Sequence, residues 1–473
     1  MRRNQNKSAT TIEKVLSRLI VTPSKEDIYP EGGKRISEER PHPLRTKWAK
    51  FKSLFARNSS LVIASHLIKS IFGPTILAMP NAFKQGGLTF ASFGFIALIA
   101  LISYNMRRLV ISADYLTKRE EIEVKTYDEV AFVSFLTCSD RTKNLASTLK
   151  LIINIMFILT RLDACIIFMI FVARNVDALL EYYFPGNGFS VRIILFLQGF
   201  MLLWMNSIRT LTFLTPFSLA ATIVLWIALI FCLNVYLIQD LPSPAVRSQI
   251  GDLVSINRFI SIVLFSQSGI SISLTLKSSM GHPEQFLGIP GVLSVSMSFI
   301  CITYIIFGFT GYLQYGEETH ASIMLNLPLD EPFSIGIKVM AIVSIFCSIP
   351  IVFYITFNVL WNNFIKKHIQ NMNPLFPEFF VRYCMIVFSF IWAVAFPELG
   401  PMIILKGALL HSYLEIIFPP LLDYVTFYPE KGTGLYHCRL LKTIGIMALG
   451  FIFFVGGTAV GISDLITESQ DDF

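Results

Sequence analysis

The chain has 473 residues, of which 53% are hydrophobic and only 15% are charged, and its formal net charge is +7. About a quarter of the residues in a soluble domain are charged, so this composition excludes an ordinary soluble protein. The positive charge is explained by membrane topology, as described below, and we therefore expect no nucleic-acid partner.

Residues 1–57 are polar, mix Pro and Ser with charge, and hold fourteen Lys and Arg against six acidic residues. Such a segment cannot bury enough apolar surface to fold, so we predict a disordered basic tail. Eleven apolar runs follow, each near the roughly 20 residues that a helix needs to cross a bilayer. They predict an all-α integral membrane protein with a transmembrane domain over 58–465 and a short acidic end over 466–473. The runs cover 61–83, 88–111, 149–175, 191–208, 212–236, 258–280, 287–311, 333–360, 379–396, 400–420 and 441–463.

The distribution of charge between the loops predicts the orientation. If the tail is cytosolic, the connections on the same side carry ten Lys and Arg residues, whereas those on the other side carry only Arg247 against many acids. An excess of Lys and Arg marks the cytosolic side. We therefore predict a cytosolic N-terminus and a C-terminus outside the cell or in a lumen. The plasma membrane and a lysosomal or endosomal membrane are both compatible with this pattern.

The first apolar run contains a helix break at Gly73-Pro74. Gly tolerates the bend, and Pro suits the first turn of a new helix. A freed backbone inside a membrane is tolerated only where protein or a water-filled cavity satisfies it. Secondary transporters build their binding sites from such discontinuous helices.

The sixth run reads Gln267-Ser268-Gly269-Ile270-Ser271 at its centre, which is small and polar within an apolar helix. Two interrupted helices five spans apart are typical of transporters built from two inverted repeats. The alternative interpretation is a small-residue face on which helices pack closely. The pair together favours a binding site.

Several motifs resemble the amino acid/auxin permease family, above all its branch of proton-coupled amino acid transporters. The resemblance covers about 58–465. It implies eleven helices in the five-plus-five inverted-repeat (LeuT-like) fold with broken helices 1 and 6, and an amino-acid site between spans one, three, six, eight and ten. The motifs are His66-Leu67-Ile68-Lys69 with Gly73, Leu77-Ala78-Met79-Pro80 with Gly87, Tyr127-Asp128-Glu129-Val130, Ala173-Arg174-Asn175-Val176, Gly311-Tyr312 to Gly316, Ile323 to Pro328, and Phe418-Pro419-Pro420-Leu421.

The two breaks predict how an amino acid would bind. Its carboxylate would lie at the start of the helix after the first break, where free N–H groups and the helix dipole attract anions. Its ammonium group would bind carbonyls freed at the two breaks, and Gly269 would leave space for its side chain. The predicted substrate-binding residues are Ile71, Phe72, Gly73, Pro74, Thr75, Gln267, Ser268, Gly269 and Ser271.

Ionisable residues inside predicted spans are candidates for ion coupling. His66 is the candidate that the resemblance supports, because a His at this point is implicated in coupling in the proton-coupled branch. Asp163 and Glu415 are the intramembrane acids, with Arg161 or Lys406 as a compensating charge and His411 one turn before Glu415. The proton is the predicted coupling ion. We expect no metal, since no metal-ligand spacing occurs among the seven scattered cysteines, and we expect neither a cofactor nor an enzyme.

The predicted function is secondary active transport of small neutral amino acids by alternating access, coupled to protons. The chain has Ser268 and Lys277 where the family usually has acids. This difference supports an alternative, an amino-acid sensor or facilitator with a carrier fold. A receptor or channel is a third class, which eleven spans and the lack of a filter motif disfavour. The predicted partners are the amino acid, membrane lipid and a cytosolic protein that binds the tail.

Overall fold

The computed structural model describes residues 59–140, 142–186, 189–207, 211–239, 241–288, 290–366, 375–432 and 437–471. The predicted tail over 1–57 lies outside this part of the chain. The described residues form helices joined by turns, and no strand occurs among them. The α-helices are α1 (Ser60–Ile71), α2 (Met79–Gly86), α3 (Leu88–Glu120), α4 (Tyr127–Cys138), α5 (Lys143–Tyr183), α6 (Val191–Met205), α7 (Leu211–Phe231), α8 (Leu253–Phe265), α9 (Ile270–Ser278), α10 (Val292–Tyr315), α11 (Ile323–Asn326), α12 (Pro332–Leu360), α13 (Leu375–Ala395), α14 (Leu399–Lys406), α15 (Phe418–Lys431) and α16 (Cys438–Asp471).

Within this part of the chain, nine helical segments are long and apolar enough to cross a membrane, and the bent pair at the first break makes a tenth. The remaining predicted span, the fourth run, corresponds to α6, which has only 15 residues. At 1.5 Å per residue it rises about 22 Å, less than the roughly 30 Å of a bilayer core. The structure thus supports an integral membrane protein with about ten spanning segments and a shorter apolar helix.

The first break has the conformation that its sequence predicts. α1 ends at Ile71, Gly73 is extended at φ −140°, and a 3₁₀ segment over Pro74–Ala78 leads into α2. The two halves meet at an angle of 46°. Pro74 begins the second half because its fixed φ suits a first helical turn and its missing N–H costs nothing there.

The predicted break in the sixth run is also present, between α8 and α9 at residues 266–269. The bend there does not exceed 40°, and Leu253–Ser278 remains one spanning unit of 26 residues. The Ser266 hydroxyl donates to the carbonyl of Val263 at 2.7 Å, and the Gln267 amide donates to the Ser266 hydroxyl oxygen at 2.9 Å. Local side chains therefore satisfy part of the interrupted backbone.

Three π-helical segments in the described part of the chain were not predicted from the sequence: Cys232–Leu237, Trp361–Ile365 and, the longest, Gly407–Ile417. α14 continues into a π-helix over Gly407–Ile417, which then becomes α15. Wide π turns are frequent at functional sites. Two side chains from other helices donate to carbonyls of this π segment: the Tyr127 hydroxyl to Leu414 at 3.0 Å, and the Asn105 amide to Glu415 at 2.7 Å.

The loops at 184–190, 238–252 and 316–331 mark the end of the bundle that we predicted to be non-cytosolic, and we call it the outer end. At this end the Arg247 guanidinium donates to the carbonyls of Leu313 and Gln314, both at 3.0 Å. Arg258 binds Asp464 through two hydrogen bonds of 2.7 and 2.9 Å. These charges join loops and helix ends that are distant in sequence. We call the opposite end the inner end.

Close packing between α8 and the π segment can be tested at a glycine. A Cβ atom on Gly407 would lie 1.8 Å from the carbonyl oxygen of Ser261, whereas one on Gly445 in α16 would meet nothing within 4 Å. Gly407→Ala should therefore force the backbones apart and destabilise the protein by about 2–3 kcal/mol. Gly445→Ala should leave stability unchanged or raise it slightly, because Ala favours helix.

The measurement is the fraction of purified protein that remains monodisperse after heating in detergent. Equal heat resistance of the two variants would show that the Gly407 contact is not tight.

Candidate substrate and ion site

The two broken helices touch at Gly269. A Cβ atom on this residue would lie 2.4 Å from Cδ1 of Ile71 and 3.6 Å from Cδ1 of Leu67. The break in the second helix therefore rests on the last turn of α1, and a larger side chain there has no room. The structure thus brings Ile71 and Gly269 together, as expected for a site formed by the two breaks. In this conformation the space beside Gly269 is filled by Ile71.

The carbonyl freed at the end of α1 already has donors. The Tyr304 hydroxyl donates to the Ile71 carbonyl at 3.0 Å, and the Thr75 hydroxyl lies 2.8 Å from the Tyr304 hydroxyl. All three residues are buried. The Ile71 oxygen, predicted as an acceptor for a substrate ammonium group, therefore accepts from Tyr304 in this conformation. Sequence reasoning missed Tyr304, although a tyrosine at the centre of an apolar span is a signal of such a role.

Phe72 was predicted to contribute a free carbonyl, but its side chain also has a packing role. Its ring stacks on Trp226 of α7, with centroids 4.0 Å apart and planes 5° from parallel. Tyr304 borders the same ring, with its centroid 5.6 Å away. Large parallel rings bury much apolar surface and resist rotation. The stack therefore anchors the break laterally against α7.

Gly73 and Pro74 lie on the open side of the break. A Cβ atom on Gly73 would meet nothing within 4 Å. Pro74 lines a small cavity towards the outer end, between the segment after the break, α5, α8 and α14. The cavity is almost entirely apolar, and Ser322 supplies the one hydroxyl group of its lining. Its other main contacts are Leu77, Phe168, Phe171, Phe265 and Ile403.

The predicted polar residues of the second break have different environments. Gln267 is buried, and its amide oxygen has no hydrogen-bond partner within the described residues. Ser271 is partly buried, and its hydroxyl donates to the carbonyl of Ser268 at 3.3 Å. None of these three residues lines the apolar cavity. The Ser268 hydroxyl is half-buried and has no hydrogen-bond partner in this part of the chain either, so Gln267 and Ser268 both keep a polar atom available to a ligand.

A group of charged side chains lies behind the cavity. Lys406 is 5% exposed, and its Nζ atom lies 4.7 Å from the ring centroid of Phe265, which lines the cavity. Its positive charge acts on the carboxylates of Asp163 and Glu415 from a distance, because Lys406 forms an ion pair with neither of them among the described residues. Of the two compensating cations considered from the sequence, Lys406 is the one whose charge acts on Asp163.

Glu415 also has the predicted local partner. Its Oε1 atom lies 2.8 Å from Nδ1 of His411, and both side chains are almost completely buried. The Nε2 atom of His411 and the Oε2 atom of Glu415 have no hydrogen-bond partner in the described part of the chain. Buried polar atoms without partners are costly. His411 and Glu415 both belong to the π segment.

His66, the third predicted coupling residue, lies apart from this group. It is exposed on α1, seven residues before Gly73 and therefore about 10 Å along the helix from the break. Within the described residues it makes neither an ion pair nor a hydrogen bond. The structure thus does not bring His66 together with Asp163 and Glu415.

Two lysines lie near His320, which precedes Ser322 of the cavity lining by two residues. Lys84 donates to the Thr319 carbonyl at 3.3 Å, and Lys338 is 1% exposed. Burial and the positive charges of these two lysines lower the pKa of His320, against the opposite effect of Glu318. The neutral form of His320 is therefore favoured.

The contact between the two breaks can be tested by a pair of substitutions. Gly269→Ala should push Ile71 aside, destabilise the protein by about 1–2 kcal/mol and weaken substrate binding. In an Ile71→Ala background both Cδ1 and Cγ1, which would lie 2.4 and 2.5 Å from the new Cβ atom, are absent, so adding Gly269→Ala there should cost almost nothing further. Gly73→Ala is the matched control, and it should leave folding unchanged because its Cβ atom has open space.

Heat resistance and equilibrium binding of radiolabelled amino acid to the purified variants are the two readouts. If Gly269→Ala cost as much in the Ile71→Ala background as in the wild-type protein, the two breaks would not be coupled through this contact.

Three comparisons with known sequences agree with the geometry. The family described as "Transmembrane amino acid transporter protein" matches residues 57–463. "Proton-coupled amino acid transporter-like protein pathetic" of Drosophila melanogaster is 30% identical over 402 residues, which are 85% of this chain and 84% of that protein. "Probable amino acid transporter skat-1" of Caenorhabditis elegans is 23% identical over 428 residues, 86% of this chain and 90% of that protein.

The family is one of membrane transporters and not of enzymes, as the sequence analysis expected. In the described residues, no group of three His, Cys, Asp or Glu side chains is arranged to hold a metal ion. The family match and the resemblance noted from the motifs lead to the same conclusion: the chain belongs to the transmembrane amino acid transporter family, also called the amino acid/auxin permease family.

Proposed function

We propose that this protein transports small neutral amino acids across a membrane by alternating access, driven by protons. The observation that carries the proposal is the contact of two interrupted helices at Gly269 and Ile71 in the protein interior. The Drosophila relative, whose name includes proton coupling, supports the choice of ion. The proposal includes eleven spans, with α6 as the short fourth span, and two halves of five spans related as inverted repeats.

The residues around the first break suit an amino acid. Its carboxylate would approach the open side of Gly73 and bind the backbone N–H group of Thr75, since helix starts attract anions, whereas the Ile76 N–H already donates to the Gly73 carbonyl at 3.3 Å. The free amide oxygen of Gln267 would accept from the ammonium group. The aromatic and aliphatic lining beyond Pro74 would enclose a short apolar side chain, because charged side chains would lose their hydration there.

Coupling requires a group that changes protonation during the cycle. The sequence candidates were His66, Asp163 and Glu415, with His66 preferred. The position of Lys406 favours Asp163 and Glu415 as the coupling groups. Its ammonium group lies against Phe265, which lines the cavity, and its charge acts on both carboxylates. A proton on one carboxylate would change the balance of charge around Lys406. We therefore assign coupling to Asp163 and Glu415 around Lys406, with His66 as the competing assignment.

Uptake into proteoliposomes tests transport and coupling together. The wild-type protein should take up small neutral amino acids and accumulate them when a pH gradient is imposed. Asp163→Asn or Glu415→Gln should reduce gradient-driven accumulation at least tenfold, about 1.4 kcal/mol, and leave exchange of labelled for unlabelled substrate largely intact. His66→Ala is the comparison, and it should retain accumulation.

Loss of accumulation in His66→Ala alone would return coupling to that residue. Equal uptake with and without the gradient in the wild-type protein would reject proton coupling altogether.

A sensor or facilitator is the second candidate function. It is favoured by Ser268 and Lys277, which stand where the family usually has acids, and Lys277 forms an ion pair with Asp114 of α3. A sensor would bind amino acid without flux and recruit a cytosolic protein to residues 1–57. Saturable binding in the purified protein, with no uptake in vesicles of the same preparation, would establish this alternative.

We also propose that the N-terminus is cytosolic, in the plasma membrane or a lysosomal or endosomal membrane. An epitope tag placed before residue 57 should resist protease added outside intact cells or sealed right-side-out vesicles. A tag after residue 468 should be cleaved under the same conditions. The reverse pattern would overturn the orientation, and detergent treatment, which should expose both tags, is the control.

A further inference from the structure

A second, larger cavity lies at the inner end of the bundle, between α3, α15 and α16. Its volume is about 350 Å³, and three cationic side chains line it, those of Arg108, Arg439 and Lys442. Among the described residues of the lining, Asp423 is the one acidic residue. Three cations against one carboxylate leave an excess of two positive charges in one concave site.

Asp423 holds the two guanidinium groups in place. Its Oδ1 atom lies 2.6 Å from Nη2 of Arg108, and its Oδ2 atom lies 3.4 Å from Nη2 of Arg439. The same Arg439 nitrogen donates to the Asp423 carbonyl at 2.8 Å. The Nε–H of Arg108 is buried and has no acceptor among the described residues. Two guanidinium groups are thus fixed side by side with donor capacity left over.

Lys442 completes the site from α16. It is exposed, and its Nζ atom lies 4.3 Å from the ring centroid of Tyr104, which keeps the ammonium group at the mouth of the cavity. A cation over an aromatic face is attracted by the ring. The ammonium group therefore faces the cavity with its own N–H donors available.

The depth of the cavity indicates its ligand. Arg108 follows the apolar part of α3, and Lys442 precedes the apolar part of α16, so both lie where a bilayer changes from acyl chains to headgroups. Leu441 and Ile444 beside the cavity are 63% and 51% exposed, which offers acyl chains an apolar surface. Guanidinium groups match the geometry of phosphate oxygens, and basic pockets between transmembrane helices bind anionic headgroups.

We propose that this cavity binds the phosphate of an anionic phospholipid headgroup through Arg108, Arg439 and Lys442. The shared chemistry is a phosphate anion, which a lipid or a soluble phosphate could supply. The bound lipid would join α16 to α3 and α15 and so depend on the composition of the membrane leaflet at the inner end. This site is separate from the proposed amino-acid site and does not depend on its assignment.

The test measures binding of a fluorescent short-chain phosphatidylinositol phosphate to the full-length protein in detergent. Lys442→Gln should weaken binding about fivefold, the effect of about 1 kcal/mol for one basic residue near a headgroup. Arg439→Gln should weaken it about tenfold or more, because a charge-assisted hydrogen bond is lost. Arg107→Gln is the matched control, since Arg107 is exposed one residue away on α3 and does not line the cavity.

Two outcomes would overturn the proposal: no saturable binding to the wild-type protein, or equal weakening by Arg107→Gln and Lys442→Gln, which would indicate general surface charge.

Competition with inositol phosphate and with inorganic phosphate identifies the source of the bound phosphate group. Displacement by either at similar concentration would support a site for the phosphate anion itself, whereas binding that only the lipid achieves would support a lipid site. Lys442 has no ion pair among the described residues, so Lys442→Gln should fold normally. This variant therefore still tests the site if Arg439→Gln unfolds.

Discussion

A backbone polar group cannot be left without a hydrogen bond in the interior of a membrane protein, and the central features of this structure depend on that constraint. An interrupted helix exposes carbonyl and N–H groups, so every break needs replacement partners. The first break has Tyr304 and Thr75 near the Ile71 carbonyl, and the second has the hydroxyl of Ser266. The breaks therefore persist only because side chains from the surrounding bundle lie at the right positions.

The same constraint explains why some features could be predicted from the sequence and others could not. Gly73-Pro74 and the small polar run around Gly269 are local signals, and both breaks were located correctly from them. The partners Tyr304 and Trp226 lie more than 150 residues away along the chain, and neither a local pattern nor a single-residue preference specifies such a contact. The π segment was missed because Gly407–Ile417 reads as continuous apolar helix, and a widened turn has no residue signature of its own.

The charges show a similar division. Asp163, Lys406 and Glu415 could be recognised as unusual because ionisable residues inside apolar runs are expensive. The effect of the Lys406 charge on both Asp163 and Glu415 depends on how α5, α14 and the π segment pack, which the sequence does not reveal. The fourth predicted span, by contrast, contains Arg192, which lowers its apolar character, and the helix found there is short.

The π segment has a consequence for movement within the bundle. Part of its backbone is held by Asn105 and Tyr127, which belong to α3 and α4. Both hydrogen bonds are buried, so losing one would leave a carbonyl without a partner at a cost of about 1–3 kcal/mol. One residue of register turns a helix by about 100°, so any shift of the segment would have to offer these two donors new carbonyls. The positions of His411 and Glu415 are thus tied to α3 and α4 through the backbone of the π segment.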